Sequence, residues 1–270
     1  MRKSKNFFKP LISVIMNCHD GEKFLKKSID SIISQTYKNW EIIFFDNKSR
    51  DNSSKIVKRF KDKRIRYFKS NKFLNLYNAR NLAIKRAKGK YITFLDTDDL
   101  WTKDKLQTQL SFLFKNKEYK IIYSNYFFLD EIKKKKKKRF NFLLRSGSIT
   151  QNLLDEYSIG ILTAMIEKNI FQKNIFNKNY NIIGDFDFFI KISQKLKIGY
   201  IKKPLAFYRL HETNFSKEKV DLYFKELKNW LLRNEKNLIK LSFDTSKIKF
   251  FLFKLKIKSY LNYFGRVVQW

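Results

Sequence analysis

The sequence predicts an α/β fold: a mostly parallel sheet flanked by helices, followed by a helical C-terminal extension. Three observations carry this. Short, nearly continuous apolar runs alternate with amphipathic stretches through the first half of the chain. Three aspartates follow one of those runs directly. Residues 216–270 mix bulky apolar side chains with lysine at helical spacing. Strand and helix in alternation imply right-handed crossovers, hence parallel strands.

Leu11–Asn17 (LISVIMN) is short and apolar throughout, the pattern of a strand buried on both faces. Glu22–Gln35 carries Phe24, Leu25, Ile29, Ile32 and Ile33 on one helical face. Trp40–Phe45 is a second buried strand, and Asp51–Phe60 a helix opened by Asp, Asn and Ser capping chemistry. Arg64–Phe68 and Tyr91–Leu95 read as strands on either side of a helix over Leu76–Ala87. Asp104–Lys115 is helical and Lys120–Leu129 is one strand. Lys133–Arg139 is seven consecutive cations, a mobile loop or hairpin tip. Ile149–Tyr157 and Phe186–Leu196 are helices, with short strands at Ile198–Lys202 and Leu205–Tyr208. Val220–Leu241 is a long basic amphipathic helix, and Ile248–Val268 continues the mixture of lysine and bulky apolar residues. The expected division is 1–215 for the α/β domain and 216–270 for the extension.

The 270 residues carry 59 Lys+Arg against 25 Asp+Glu, a net charge of +34. Two readings stay open. One is an anionic partner: nucleic acid, membrane or phosphorylated ligand. The other is compositional background, because 47 of the basic residues are Lys, and Lys, Asn, Ile and Phe share A/T-rich codons. An apolar content of 43% excludes a disordered chain, and 7 Gly with 2 Pro exclude collagen-like repeats. The lone Cys18 excludes an internal disulfide and, with two His, argues against structural zinc. No run of about 18 apolar residues predicts a membrane span. The stretch Met1–Lys9 is basic and lacks an apolar signal core. The expected location is therefore cytoplasmic, with peripheral contact at the inner face of the cytoplasmic membrane as an option.

The chemistry concentrates after strands, where open α/β sheets bind ligands. Asp96-Thr97-Asp98-Asp99 follows YITFL. Carboxylates this crowded repel one another unless a hard cation such as Mn2+ or Mg2+ sits among them, bridging to a diphosphate. The alternative is that Asp98 and Asp99 cap a turn. Asp46 follows the second strand, placed to accept from a base or ribose. Arg80 opens toward either a diphosphate or the aspartates. Asp185 begins a helix, as a dipole-stabilised cap or as a general base. Arg209 and His211 follow a late strand.

In this order the motifs resemble the family 2 glycosyltransferases of GT-A fold. The matching segments are SVIMNCHDGEKFL (13–25), FFDNKSRDNS (44–53), NARNLAI (78–84), YITFLDTDDLW (91–101) and GDFDFFIKI (184–192), over about residues 10–215. The resemblance implies an inverting, metal-dependent transfer of a sugar from a nucleotide-diphosphate donor, a UDP-sugar first among them. The acceptor would be a hydroxyl of a glycan or lipid-linked molecule in bacterial surface polysaccharide synthesis. By resemblance Asp46 contacts the base, Asp96 and Asp98 bind metal and donor diphosphate, and His211 approaches that diphosphate. Asp185 is the base, with Asp187 as the second candidate. The sequence departs from the pattern at His19-Asp20, at Asn47 in place of an Asp, and at Gly184 in place of the first acid of a Glu-Asp pair.

Two other functions compete. A sugar nucleotidyltransferase needs a Gly-rich phosphate loop after the first strand, and His19-Asp20-Gly21-Glu22 is not one. A nonenzymatic nucleic-acid-binding protein has no use for clustered aspartates that repel phosphate; no nucleic-acid partner is expected.

Overall fold

The computed structural model of the chain describes residues 9–131, 133–211 and 219–267, the last six of these by backbone only. The basic N-terminus before Lys9 and the segment 212–218 after His211 lie outside the described residues. A seven-stranded sheet forms the centre, in the order β10-β6-β9-β4-β1-β2-β3. The first four strands are β1 (Ile12–Cys18), β2 (Trp40–Asp46), β3 (Ile65–Lys69) and β4 (Tyr91–Phe94). They run parallel, because each return passes through a helix. These helices are α1 (Glu22–Ile33), α2 (Ser53–Arg59) and α3 (Leu76–Arg86). β6 (Ile121–Ser124) and β10 (Ile198–Ile201) are also parallel, while β9 (Met165–Glu167) enters antiparallel between β4 and β6.

β1 and β2 are buried along their whole length, which is why they read as continuous apolar runs. Their side chains alternate between two cores. Val14, Met16, Ile42 and Phe44 face α1, α2 and α4 (Lys105–Lys115). Ile15, Ile43, Ile92 and Phe94 face α3, α5 (Thr150–Asp155) and α6 (Gly184–Ser193). This second core continues into α7 (Val220–Lys240) and α8 (Ser246–Val267) through Leu227, Trp230, Leu231, Leu238, Ile248 and Leu255. Each fully buried side chain of this size stabilises the fold by about 1.5–3 kcal/mol. The C-terminal helices therefore share the domain's core. No helix among the described residues is long and apolar enough to cross a membrane.

The sequence reading fails between residues 120 and 139. The expected single strand is two, broken at Asn125. β6 ends at Ser124 and β7 (Phe127–Asp130) joins a second sheet, ordered β5-β11-β7-β8. The Asn125 side chain holds the break, donating to the Phe140 carbonyl and accepting from the Tyr126 N–H. The cation run is not wholly a loop. Lys135–Lys138 forms β8, antiparallel to β7, with all four lysines exposed. It is an edge strand, and lysine on an edge blocks pairing with other chains. β5 (Leu100–Trp101) and β11 (Ala206–Leu210) complete this sheet, which lies beyond the end of β4.

Candidate active site

The carboxyl ends of β1, β2 and β4 open into a cavity of about 450 Å³. Asn17, Cys18 and His19 line it from β1, Asn47 from β2, and Asp96, Thr97, Asp98 and Asp99 from β4. Tyr77 and Arg80 contribute from α3, and Asp185 from the first turn of α6. Asn17 and Asp185, 168 apart in sequence (185 − 17), thus meet because parallel strands end on one side of the sheet.

The three aspartates have separate roles in the structure. Asp96 receives Arg80 Nη2 at 3.0 Å. Arg80 is 2% exposed and held in an aromatic box, its guanidinium 5.4–5.8 Å from the Tyr77, Phe94 and Phe176 rings. Burial pushes the Asp96 carboxyl above the usual carboxylate range; Arg80 opposes this and Asp98 adds to it. Asp99 points inward, accepting the Arg209 backbone N–H at 2.9 Å. Burial, then the charges of Asp98 and Asp96, drives its pKa well up, and the bond from the Arg209 N–H ties Asp99 into the turn. Asp98 reaches the cavity edge, its Oδ2 2.9 Å from His211 Nε2. Arg209 braces this turn from β11: its Nε donates to the Asp98 carbonyl at 2.6 Å, and its guanidinium stacks on Phe24 and pairs with Glu131.

The donor set at this point is the Asp98 carboxylate at the cavity edge and the His211 imidazole in contact with it, with Asp96 beside them. No group of three or more His, Cys, Asp or Glu side chains among the described residues forms a metal cage. Two protein ligands with open positions suit a Mg2+ or Mn2+ ion that takes its other ligands from substrate phosphate and water. The residues fit such an ion, and Asp98 with His211 would hold it.

Asp185 lies across the cavity. It accepts the Tyr77 hydroxyl at 3.0 Å, the Tyr157 hydroxyl at 3.2 Å and the Phe186 N–H at 2.9 Å. Burial raises its pKa, while Arg80 and these hydrogen bonds pull it down. Three backbone N–H groups leading into α6, of Asn181, Ile182 and Ile183, donate to Glu226 of α7. A carboxylate there satisfies donors that the helix start leaves open.

Three sequence-derived candidates do not line the cavity: His211, which touches Asp98 at its edge, Asp187 and Asp46. Asp187 sits two residues along α6, about 200° around the helix from Asp185. It is 2% exposed, accepts Trp230 Nε1 at 2.9 Å and pairs with Lys191 at 2.8 Å. Asp46 is fully buried, its oxygens taken by the Tyr67 hydroxyl at 2.5 Å and the Ser49 N–H at 2.7 Å. Asn47 faces the cavity instead. Its amide exchanges two hydrogen bonds with the Leu74 backbone and so fixes the wall formed by residues 73–76.

Sequence reasoning missed Tyr77 and Tyr157 entirely. Gly184 was the available signal. A Cβ built on Gly184 would lie 2.5 Å from the Tyr77 ring, so no side chain fits there while Tyr77 is present. The departure from an acid at 184 is thus matched by an aromatic ring 107 positions earlier (184 − 77) whose hydroxyl reaches Asp185.

Known proteins resemble this chain in sequence and fold. The chain matches Glycosyl transferase family 2 over residues 13–189. It is 32% identical over 225 residues to the UDP-Glc:alpha-D-GlcNAc-diphosphoundecaprenol beta-1,3-glucosyltransferase WfgD of Escherichia coli, covering 81% of this chain and 83% of that protein. It is 30% identical over 243 residues to the uncharacterized glycosyltransferase MJ1057 of Methanocaldococcus jannaschii, covering 85% and 82%. Staphylococcus aureus TarS 1–349, in complex with UDP, superposes with a TM-score of 0.62 at 17% identity, over 81% of this chain and 65% of that one. The mannosyltransferase PcManGT from Pyrobaculum calidifontis, in complex with GDP-Man and Mn2+, gives 0.62 at 13% identity, over 82% and 63%. At such identities the solved structures speak for the fold alone. Family match, relatives and fold agree: the chain belongs to glycosyl transferase family 2, as a glycosyltransferase of GT-A fold.

Proposed function

We propose that the protein transfers a sugar, with inversion, from a nucleoside-diphosphate donor to a hydroxyl of a glycan or lipid-linked acceptor in surface polysaccharide synthesis. One observation carries the reading: Asp96, Asp98 and Asp185 line a single cavity at the carboxyl ends of the strands. The activities of relatives support it. WfgD uses UDP-Glc and a diphosphoundecaprenol-linked sugar, and the Bacillus subtilis TuaG, 36% identical over 108 residues, is a putative teichuronic acid biosynthesis glycosyltransferase. The Mn2+ bound to PcManGT supports a divalent cation.

In this reading Asp185 takes the proton from the acceptor hydroxyl as its oxygen attacks the anomeric carbon. The new carbon–oxygen bond forms opposite the one that breaks, and the nucleoside diphosphate leaves with the bonding electrons. One displacement with one base inverts the configuration. Tyr77 and Tyr157 orient the carboxylate, and Arg80 fixes Asp96 toward the donor side. Asp98 and His211 would hold the cation, which when bound neutralises charge on the departing diphosphate. His19 and Asn47 line the nucleotide end, with the His19 ring 4.5 Å from Phe73. A screen of UDP- and GDP-sugars for metal-dependent hydrolysis, then for transfer to a lipid-diphosphate-linked sugar, tests the proposal. No turnover of any nucleotide sugar with Mn2+ or Mg2+ present would reject it.

A further inference from the structure

We infer that the outer face of α8 is a docking surface for an anionic lipid bilayer. The helix has two faces. Ile248 and Leu255 are buried in the shared core, and Ser259 meets Asp221 of α7. The opposite face carries Phe250, Phe253, Ile257, Tyr260 and Leu261, each 45–66% exposed. Their spacing of three, four, three and one places them on one stripe roughly 100° wide. Such a stripe normally faces a core; here it faces outward.

Lysines border the stripe on both sides. Lys254 and Lys258 follow one edge, Lys249 and Lys256 the other. Lys249 pairs with Glu235, and the Lys254 ammonium lies 4.4 Å from the Phe250 ring centre. Lys254, Lys256 and Lys258 have no carboxylate partner among the described residues. This charge pattern selects the occupant. A second copy laid on the stripe would set lysine rows against lysine rows in a chain of net charge +34. An anionic bilayer accepts the aromatic and aliphatic side chains at headgroup depth while the lysines reach the lipid phosphates. The inference deepens the lipid-linked-acceptor reading, because enzyme and acceptor would then share one surface. Its evidence is independent of that reading.

The test is co-sedimentation of the full chain with phosphatidylcholine vesicles, with and without phosphatidylglycerol, in the absence of donor and acceptor. Wild type is expected to pellet with the anionic vesicles and weakly with the neutral ones. The combined variant Lys254→Gln, Lys256→Gln, Lys258→Gln should bind about a hundredfold more weakly at low salt, at roughly fivefold per lysine. The combined variant Phe250→Ser, Phe253→Ser, Ile257→Ser should lose the binding that persists at high salt. Both should unfold at the wild-type denaturant midpoint, because neither touches the buried face. If the apolar variant unfolds early, the lysine variant, altered only at exposed positions, decides alone. Wild type that ignores anionic vesicles, or variants that bind as wild type does, overturns the inference. So does a dimer that the apolar variant turns into a monomer without change in vesicle binding. Transfer to a detergent-dispersed acceptor is measured separately, so failure of the reaction and failure of docking are told apart.

Discussion

At the carboxyl ends of the strands the molecule takes carboxylates out of water; along α8 it leaves phenylalanines in it. Both regions run against the usual sorting of side chains. The cleft accepts buried Asp99 and partly buried Asp96 and Asp185, whose carboxyl groups burial pushes upward. The helix accepts exposed Phe250 and Phe253. Elsewhere the same chain sorts normally: Asp30 pairs with Lys26 at the surface, and Ile12 to Met16 are sealed. The contrast separates two kinds of unfavourable placement. In the cleft, a ligand of opposite charge would relieve it; on the helix, an apolar phase would.

That division can be broken experimentally. The largest effect should come from the cation. EDTA should reduce transfer to background, Mn2+ or Mg2+ should restore it, and Asp98→Asn should lose donor binding and rate together. Full activity of Asp98→Asn in EDTA would show that the crowded aspartates serve the fold instead. Next is the base. Asp185→Asn should cut transfer by roughly 10²–10⁴ while nucleotide affinity stays near wild type. Asp187→Leu should do the reverse, leaving turnover near wild type in stopped assays. It should cost about 1–3 kcal/mol in urea unfolding, because Trp230 Nε1 loses its buried acceptor.

A smaller effect sharpens the role of the tyrosines. Hydrogen bonds from Tyr77 and Tyr157 favour the ionised form of Asp185. Tyr77→Phe keeps the ring over Gly184 and removes one of them. The acid limb of kcat/KM against pH should therefore move to higher pH, with kcat on the plateau falling only a few-fold. An unmoved limb would make Tyr77 a packing residue. The smallest effect concerns stability. The folded state holds the Asp185 proton more tightly than the unfolded chain does. That contribution is fully present below the unfolded value of about 4 and is lost as pH rises through the raised folded value. Asp185→Asn removes the loss, so urea unfolding should show the variant gaining on wild type from pH 4 toward pH 8.

What the sequence made legible follows from distance along the chain. β1, β2 and β4 were readable because burial on both faces writes itself into consecutive residues, and Asp96 and Asp98 because they directly follow such a strand. The break at Asn125 was not, since a strand changing sheets keeps its apolar pattern and only the side-chain bonds to Phe140 reveal it. β5 and β9 are two and three residues long, too short for any period. Asp46 reads as a pocket residue until Tyr67 and Ser49 are placed around it. Asp185 and Asp187 are indistinguishable by composition; the helix separates them, and Trp230 from α7 claims the second. The Tyr77–Gly184 match joins residues whose nearness only the fold creates.

Glu226 ties the last helices to the start of α6, where Asp185 stands. It is 7% exposed and receives the N–H groups of Asn181, Ile182 and Ile183, just before Asp185. Any fluctuation that lifts α7 from the domain withdraws that acceptor and frees the start of α6. Opening of the two segments should then be a single cooperative event, with amide exchange at 181–183 following that of α7. The relation runs both ways by mass action. A donor that steadies Asp185 should slow exchange in a helix that it never touches.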